Sequence, residues 1–368
     1  VPYSVSVDAG GNVYIADYNN HRIRFIAKVS GTYFGQAMTA NSIYTISGNG
    51  SGGYTSDNVA ATGSALNRPN EVSVDASGNV IISDRSNHRV RFVAKTSGTY
   101  FGQSMTANYI YTLANSTYLY FNKGASVDAQ GNVYIANVNY NTILFLPKAS
   151  GTYFGQAMTA NSVYTIVGNG SGGYSGVGRI ATTARLYNGG QSSGVTVDSS
   201  GNIFIADYTN TRIFFIPKTN GTYFGQAMVA NYIYRIAGSG WAGYASDNVA
   251  ATSTGIREPR GVCVDTAGNV YIADTGNNRV RFIPRTSATF FGQSMTANYI
   301  YTIAGNGTGG YVADNVAATN TQIYQPSGVA VDGEGNVVFS EIYNYRVRFV
   351  PKTTGTYFGQ SMTANYIY

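Results

Sequence analysis

Acidic side chains are the first candidates for chemistry in this chain, because converging carboxylates can act as general acid and base or bind a cation. Of the seventeen Asp and Glu residues, fourteen occupy three positions of one repeated pattern. The repeated acids are Asp8, Asp75, Asp128, Asp198, Asp265 and Asp332; then Asp17, Asp84, Asp207, Asp274 and Glu341; and then Asp57, Asp247 and Asp314. Only Glu71, Glu258 and Glu334 fall outside the pattern. Catalysis needs a few non-equivalent groups at one point, so we predict no catalytic residue and no enzyme.

Histidine and cysteine provide little for a metal site. His21 and His88 occupy equivalent loop positions in neighbouring copies, either as solvated loop residues or as a weak two-histidine metal contact. Cys263 lies where the other copies carry Ser, Thr or Ala, which indicates a small strand residue. A single cysteine excludes a disulfide within the chain. We therefore predict no metal and no cofactor.

Aromatic pairs recur in a second motif, GTYFGQxM or a close variant, once per copy. The pairs are Tyr33 and Phe34, Tyr100 and Phe101, Tyr153 and Phe154, Tyr223 and Phe224, Phe290 and Phe291, and Tyr357 and Phe358. In one interpretation they form an exposed ring of aromatics, suited to stacking on sugars or to contact with another subunit. In the other, each insert folds back and fills a satellite core. The first interpretation makes these residues a candidate binding or assembly face.

Five Asn-x-Ser/Thr sequons are candidate glycosylation sites. They lie at Asn49, Asn115, Asn169, Asn220 and Asn306. NGS and NGT are also ordinary turn sequences, so both interpretations stay open.

All these residues belong to six near-identical copies that begin at Val5, Val72, Ala125, Val195, Val262 and Val329. In the first copy, segments 5–8, 13–17, 22–26 and 41–46 are rich in β-branched and aromatic residues and predict a four-stranded antiparallel meander. The turn DxxGN, with a glycine suited to positive φ, joins the first two strands.

Six such sheets bury their faces when they stack radially, which predicts an all-β fold, a six-bladed β-propeller of four-stranded antiparallel blades. Residues 1–368 then form a single domain, with blades at approximately 1–47, 48–114, 115–167, 168–237, 238–304 and 305–368. Val1 starts a first strand and Tyr368 ends in a fourth strand. We therefore predict closure by packing alone and an unpaired outer edge at Tyr368, favouring continuation of the chain or assembly.

An ion pair is expected across the loop between the second and third strands. Asp17 faces Arg22 and Asp274 faces Arg279, whereas the third copy replaces both partners together, with Asn137 and Thr142. Joint loss is what a structural ion pair predicts.

The segment GVCVDTAGNVYIADTGNNRVRFI at 261–283 resembles the NHL repeat, and the other five copies match it at most positions. The chain is thus similar to NHL-repeat β-propellers of a bacterial, secreted type. The resemblance implies a platform that binds protein, nucleic acid or glycan, or less often a lyase or hydrolase. Related lyases use histidines or metal ligands about the central channel, and this chain has two histidines.

The composition limits the classes of partner and the location that we expect for this protein. Charged residues make up 11% of the chain, and its net charge of +6 is spread over the copies without a Lys/Arg run, so we expect no nucleic acid. No apolar segment is long enough for a membrane-spanning helix. The sequence begins at Val1 rather than Met, which indicates a processed or excerpted chain, and the abundant Gly, Asn and Tyr favour an extracellular or cell-surface location.

Three functions follow from these observations. The first is a non-catalytic extracellular scaffold that assembles with other copies of itself into a surface layer or fibre. The second is a propeller module that binds glycan or protein, and the third is a lyase or hydrolase. The connectors after Ile110 and Ile166 deviate from the repeat, which makes the surroundings of the third blade a candidate contact region.

Overall fold

A computed structural model describes residues 1–115, 119, 122, 124–187 and 194–368. It contains β-strands and, among the residues described, no helix beyond three-residue 3-10 turns. The chain forms six antiparallel meanders, each running from an inner first strand to an outer fourth strand. The six-bladed β-propeller predicted from the sequence is therefore confirmed.

The blades use the four strand segments in the same order. The first strands are Pro2–Val7, Pro69–Val74, Gly124–Val127, Val195–Val197, Val262–Val264 and Pro326–Val331. The second strands are Val13–Asp17, Val80–Asp84, Val133–Asn137, Ile203–Asp207, Val270–Asp274 and Val337–Glu341. The third strands are Arg22–Ile26, Arg89–Val93, Thr142–Leu146, Arg212–Ile216, Arg279–Ile283 and Arg346–Val350. The fourth strands are Ile43–Ser47, Tyr109–Ala114, Tyr164–Val167, Tyr232–Ala237, Tyr299–Ala304 and Tyr366–Ile367.

The inner strands close the ring. Each contacts the inner strand of the next blade, and Pro326–Val331 contacts Pro2–Val7. Ser340 Oγ donates a hydrogen bond of 3.1 Å to the Tyr3 carbonyl oxygen across this last seam, and the Cα of Gly328 lies against Ser4. Among the residues described, the four strands of each blade come from one continuous stretch of chain, and the inner strands of blades 6 and 1 pack against each other.

The two ends of the strands define two faces of the disc. The hairpin face carries the DxxGN turns and, between third and fourth strands, a two-stranded hairpin in every blade. The hairpins pair Gly31–Tyr33 with Gln36–Met38, Gly98–Tyr100 with Gln103–Met105, Gly151–Tyr153 with Gln156–Met158, Gly221–Tyr223 with Gln226–Met228, Ala288–Phe290 with Gln293–Met295 and Gly355–Tyr357 with Gln360–Met362. The connector face carries the loops between second and third strands and the connectors between blades.

The DxxGN turns form as predicted. Asp8 accepts a hydrogen bond of 2.9 Å from the backbone N–H of Asn12, and Gly11 has φ +80°. The other five turn glycines also have positive φ. Asn12 Oδ1 accepts a bond of 2.9 Å from the N–H of Lys28, which ties this turn to the end of the third strand.

Four connectors add a short fifth strand to the outer edge of the blade that follows. These strands are Val59–Ala60, Arg179–Ile180, Val249–Ala250 and Val316–Ala317. The last of them pairs with Tyr366–Ile367. The expectation of an unpaired edge at Tyr368 is therefore wrong, because the connector before the sixth blade already covers that strand.

The ion pair expected between second and third strands is wrong in its partner. The buried carboxylate of Asp274 contacts the guanidinium of Arg281 at 3.3 Å rather than that of Arg279. Arg279 instead lies 3.9 Å over the ring of Tyr244 from the connector. Arg91 with Asp84 and Arg348 with Glu341 repeat the observed pairing.

A connector aspartate completes each of these pairs. Arg91, Arg281 and Arg348 are almost fully buried, and each also contacts Asp57, Asp247 or Asp314, at 3.1, 2.8 and 2.8 Å respectively. Each buried guanidinium thus contacts one acid of its own blade and one acid of the connector before the fifth strand, so its charge is not left unpaired.

Candidate functional site

The twelve aromatic residues of the hairpins pack onto their own blades. The ring of Phe34 lies 5.7 Å from that of Phe25 and 6.4 Å from that of Tyr14, in edge-to-face contact, and Tyr33 lies 5.3 Å from Phe25. The same contacts recur in the other blades, where Phe101, Phe224 and Tyr357 are buried. The structure thus has the second arrangement considered above, in which each insert folds back on its blade.

Each hairpin turn imposes an unusual backbone on its phenylalanine. Phe34 has φ +50° and Gly35 has φ +72°, the conformation of a type I′ turn, and all six hairpins share it. A bulky residue with positive φ is strained, and the strain is offset here by burial of the ring on the blade.

The exposed aromatic residues lie instead on the connector face. They occur in the loops and connectors there, and none belongs to a hairpin pair: Tyr54, Tyr140, Tyr174, Tyr187, Trp241, Tyr311, Tyr324, Tyr343 and Tyr345. The connector face therefore presents exposed aromatic side chains, whereas those of the hairpins are buried or half-buried.

The histidines and the cysteine have structural surroundings. His21 accepts a hydrogen bond of 3.1 Å on Nδ1 from the N–H of Arg68, and burial lowers its pKa. Burial raises the pKa of the Cys263 thiol. Within the residues described, no three or more His, Cys, Asp and Glu side chains form a group that could hold a metal ion.

The sequon asparagines take part in turns. Asn49 Oδ1 accepts a bond of 2.8 Å from the N–H of Ser51, and Asn169 and Asn306 repeat this bond. Asn220 Oδ1 accepts from Ala230. The sequon of Asn115 extends into residues outside those described, as do the two deviating connectors beside the third blade. Glycosylation stays a prediction at all five positions.

A cluster of arginine and tyrosine side chains occupies the centre of the connector face, where the inner strands begin. Tyr3 and Tyr18 of blade 1 stack at 5.1 Å between ring centroids. Arg85 of blade 2 donates a hydrogen bond to the Tyr18 hydroxyl, and the guanidinium of Arg68 lies 6.0 Å from the Tyr18 ring. Blades 1 and 2 thus contribute two aromatic faces and two guanidinium groups.

Blades 4 and 5 complete this central cluster. Arg260 donates a bond of 2.6 Å from Nη1 to the Tyr3 hydroxyl, and its guanidinium lies 5.6 Å from the Tyr3 ring and 5.4 Å from the Tyr208 ring. Burial raises the pKa of Tyr208, and the charge of Glu258 acts in the same direction against that of Arg260. We define the central cluster as Tyr3, Tyr18, Arg68, Arg85, Tyr208, Glu258 and Arg260.

The cluster carries an excess of positive charge. It contains three guanidinium groups and one carboxylate, that of Glu258. Glu71 follows Arg68 by three positions in the sequence, and its carboxylate accepts a hydrogen bond of 2.7 Å from Ser4 Oγ. Although Glu71 keeps some exposure, burial of its carboxyl raises the pKa to about 8, so this acid is largely neutral at pH 7 and offsets little of the positive charge.

Three residues in or beside the cluster have positive φ. Arg68, Glu258 and Gln325 each precede the proline that opens or adjoins an inner strand, and they have φ of +54°, +52° and +49°. Positive φ also occurs at repeated positions elsewhere in the ring, such as the hairpin phenylalanines, so it is a feature of the repeated fold and does not mark the cluster.

Guanidinium groups bind carboxylates and sulfates through paired N–H donors, and tyrosine faces stack on flat or sugar-like groups. The central cluster therefore suits an anionic ligand with rings or apolar faces. The sequence analysis did not identify its residues, although one repeat position indicates two of them. Tyr3, Asn70, Lys123, Ser193, Arg260 and Ser327 occupy one repeat position, and six otherwise near-identical copies differ there.

The fold and the asymmetric centre define a six-bladed β-propeller with a polar central cluster on one face. Three segments match the NHL repeat, at residues 2–24, 66–91 and 257–281. These three segments of the six-bladed β-propeller are thus NHL repeats, in agreement with the resemblance. Comparison with curated proteins gave no match.

Three solved structures with a similar fold come from Bacteroides. A protein of unknown function from Bacteroides thetaiotaomicron is 14% identical, with a TM-score of 0.59 over 95% of this chain and 70% of that one. Auxiliary nutrient binding proteins from Bacteroides ovatus and Bacteroides thetaiotaomicron are 13% and 15% identical, each with a TM-score of 0.57 over 95% of this chain and 68% of the other. At such identities the likeness concerns the fold. The part of the chain that the structure describes contains no helix able to cross a membrane.

Proposed function

We propose that this protein is a non-catalytic, extracellular binding module that holds an acidic glycan at the central cluster. The observation that carries the proposal is the Arg260 guanidinium, placed between the rings of Tyr3 and Tyr208 in a cluster with three arginines and one acid. Carboxylate or sulfate groups would pair with the guanidinium groups, while sugar rings would stack on the tyrosines.

Three further facts support this proposal. The cluster breaks the sixfold repeat, as a site for one specific ligand requires. It lies on the face that also exposes aromatic side chains, which are common in carbohydrate contacts. The auxiliary nutrient binding proteins with the same fold are, by their description, binding proteins.

A glycan array tests the proposal. The folded protein, fluorescently labelled at a site remote from the connector face, is applied to carboxylated, sulfated and uncharged glycans at physiological salt. We expect signal on acidic glycans and a clear reduction of it in high salt, because charge pairing is screened. Binding confined to uncharged glycans, or a blank array, would contradict the proposal.

A self-assembling scaffold is the second candidate, and the exposed aromatic side chains of the connector face favour it. In this function the partners are other copies of the chain, which bury these rings against one another. Sedimentation velocity over a hundredfold concentration range tests it. A single species of monomer mass at every concentration would exclude self-assembly.

A further inference from the structure

The single tryptophan of the chain, Trp241, lies exposed on the connector face. It belongs to the connector before blade 5, and its side chain is 57% exposed. The connectors before blades 2, 4 and 6 carry small polar residues at this position, namely Ser51, Ser171 and Thr308. Trp241 is the only exposed large apolar side chain of residues 238–261, all of which the structure describes. The repeat therefore does not account for this ring.

Two glycines provide the surface on which the indole lies. A Cβ atom at Gly255 would lie 2.4 Å from Trp241 Cε3, and one at Gly243 would lie 2.5 Å from Trp241 Cη2. Neither position therefore admits a side chain beneath the ring. Larger residues stand at the position of Gly255 in the connectors before blades 2, 4 and 6, namely Ala65, Arg185 and Gln322. The tryptophan and this glycine thus occur together in one connector, which holds the exposed ring in a defined position.

The same connector leads from the tryptophan to the central cluster. Ala242, which follows Trp241, pairs with Ile256 in a parallel bridge. Arg260 of the central cluster follows Gly255, the glycine beneath the ring, by five positions. Five residues of extended chain span about 18 Å at most. The indole and the cluster therefore lie within the reach of one oligosaccharide chain.

Arg257 adds a positive charge between Gly255 and Arg260 in the chain. Its side chain is exposed, and its Cγ would lie 2.5 Å from a Cβ atom at Gly276 in the adjoining loop. Its backbone N–H donates a bond of 2.7 Å to the buried carboxylate of Asp274, which fixes the main chain at this point. Uncharged residues stand at this position in the connectors before blades 2, 4 and 6, namely Asn67, Tyr187 and Tyr324.

We propose that the ligand of the central cluster is a linear acidic oligosaccharide that extends along the connector before blade 5 to Trp241. One acidic sugar binds at the cluster, a second acidic group pairs with Arg257, and a further sugar ring stacks on the exposed side of the indole. A protein partner would bury a contiguous apolar patch, whereas a sugar needs one flat ring with polar groups beside it, as on this connector. The inference rests on the proposed function and adds to it the length and direction of the ligand.

Calorimetric titration of two probes, a trisaccharide and a hexasaccharide of galacturonic acid, tests the length. The hexasaccharide should bind about tenfold more tightly, because the trisaccharide does not extend from the cluster to the indole. Trp241→Ala should lower the affinity for the hexasaccharide to that for the trisaccharide and leave the latter unchanged, whereas Trp241→Phe should retain most of the difference. Arg257→Asn, which copies the connector before blade 2, should weaken hexasaccharide binding severalfold.

The single tryptophan also gives a direct readout of its own surroundings. Hexasaccharide binding should shift the fluorescence emission of Trp241 to shorter wavelength and reduce its quenching by acrylamide, whereas the trisaccharide should leave both unchanged. Tyr140→Ala is the matched control, because it removes an exposed aromatic side chain from blade 3, and it should bind both sugars as the parent protein does. Circular dichroism melting confirms that each variant is folded. If Trp241→Ala is unfolded, the emission of the parent protein decides.

The outcomes separate this inference from the proposed function. Hexasaccharide binding with unchanged tryptophan emission, or with full affinity in Trp241→Ala, would overturn the inference and leave the proposed function standing. Absence of binding by both sugars would overturn both. Emission that shifts with protein concentration in the absence of sugar would also overturn the inference, because Trp241 would then lie in a contact between copies of the chain.

Discussion

Arg260 of blade 5 donates a hydrogen bond of 2.6 Å to the hydroxyl of Tyr3 of blade 1, across 257 positions of sequence. These blades are not neighbours in the ring, because blade 6 lies between them. Blade 6 contributes Ser327 and Gly328 at the equivalent inner-strand positions, and these small residues leave space for the bond. The central cluster therefore links blades across the ring as well as presenting charge.

Replacing Arg260 with methionine removes this link while keeping most of the side-chain volume. We expect Arg260→Met to lower the free energy of unfolding by about 1 kcal/mol, since one hydrogen bond from a partly exposed charged donor is lost. Urea unfolding measures the change. Lys95→Met provides the control, because Lys95 is an exposed residue of the hairpin face, and it should stay within about 0.5 kcal/mol of the parent, as surface substitutions usually do.

The connector aspartates should matter more for stability than their exposure suggests. Asp57 contacts the fully buried Arg91 and also accepts a bond of 3.0 Å from the N–H of Thr112. Asp57→Val should lower the free energy of unfolding by about 2 kcal/mol, because a buried guanidinium loses one of its two carboxylates.

The double variant Asp57→Val, Arg91→Phe copies the combination found naturally in blade 4, where Val177 and Phe214 stand at these positions. We expect it to be more stable than the sum of the two single changes implies. Chemical unfolding of the four proteins in the cycle gives the coupling energy. Simple additivity would show that the connector aspartate and the arginine do not act together.

Asp207 predicts a pH dependence of stability. It is fully buried, its blade has Phe214 where others have a paired arginine, and burial raises its pKa to about 6. A folded-state pKa above the ordinary value of about 4 means that the folded protein binds this proton more tightly than the unfolded chain. Its contribution to stability is therefore greatest at low pH and declines as pH rises towards 6.

Asp207→Asn should remove this dependence. The free energy of unfolding of the parent minus that of the variant should fall between pH 4 and pH 7, by up to about 3 kcal/mol for a shift of two pKa units. Urea unfolding of both proteins at pH 4, 5, 6 and 7 gives this difference. The contributions of the other acids are the same in both proteins and cancel in it. A difference that rises with pH would mean that the Asp207 pKa is lowered by its hydrogen bonds.

A hairpin phenylalanine allows the free-energy cost of its positive φ to be compared with the stabilisation from burial of its ring. Phe101 has φ +48° and is 7% exposed, with its ring 5.9 Å from that of Phe92. Asn tolerates positive φ, which relieves about 1 kcal/mol, but loss of a buried ring costs about 3 kcal/mol or more. Phe101→Asn should therefore destabilise the protein by about 2 kcal/mol in thermal or urea unfolding. A stabilised variant would show that strain dominates.

Much of the fold follows from the repeat. The second strand of the first copy was predicted at 13–17 and lies at Val13–Asp17, because apolar residues between turn signals fix both of its ends. The glycine of the DxxGN turn likewise specifies positive φ at Gly11. Local chemistry decides both features, so the sequence is sufficient for them.

Contacts between distant segments were harder to predict. The sequence offers Asp274 two arginines two residues apart, Arg279 and Arg281. Which of them it contacts depends on distant connector residues, because Tyr244 lies against Arg279 and Asp247 pairs with Arg281. The central cluster likewise depends on the ring bringing together residues such as Tyr3 and Arg260. Differences between copies at one repeat position would have marked these residues, whereas similarity between copies drew attention to the hairpins.

Binding at the central cluster is tested most directly by calorimetric titration of a galacturonic acid trisaccharide and of its uncharged galactose counterpart. We expect the parent protein to bind the acid at least about tenfold more tightly than the neutral sugar, since a charged pair is worth about 1.4 kcal/mol or more. The double variant Arg85→Met, Arg260→Met should lose this preference, and Arg285→Met should retain it. Equal affinity for both sugars, or full acid binding by the double variant, would contradict the proposed function.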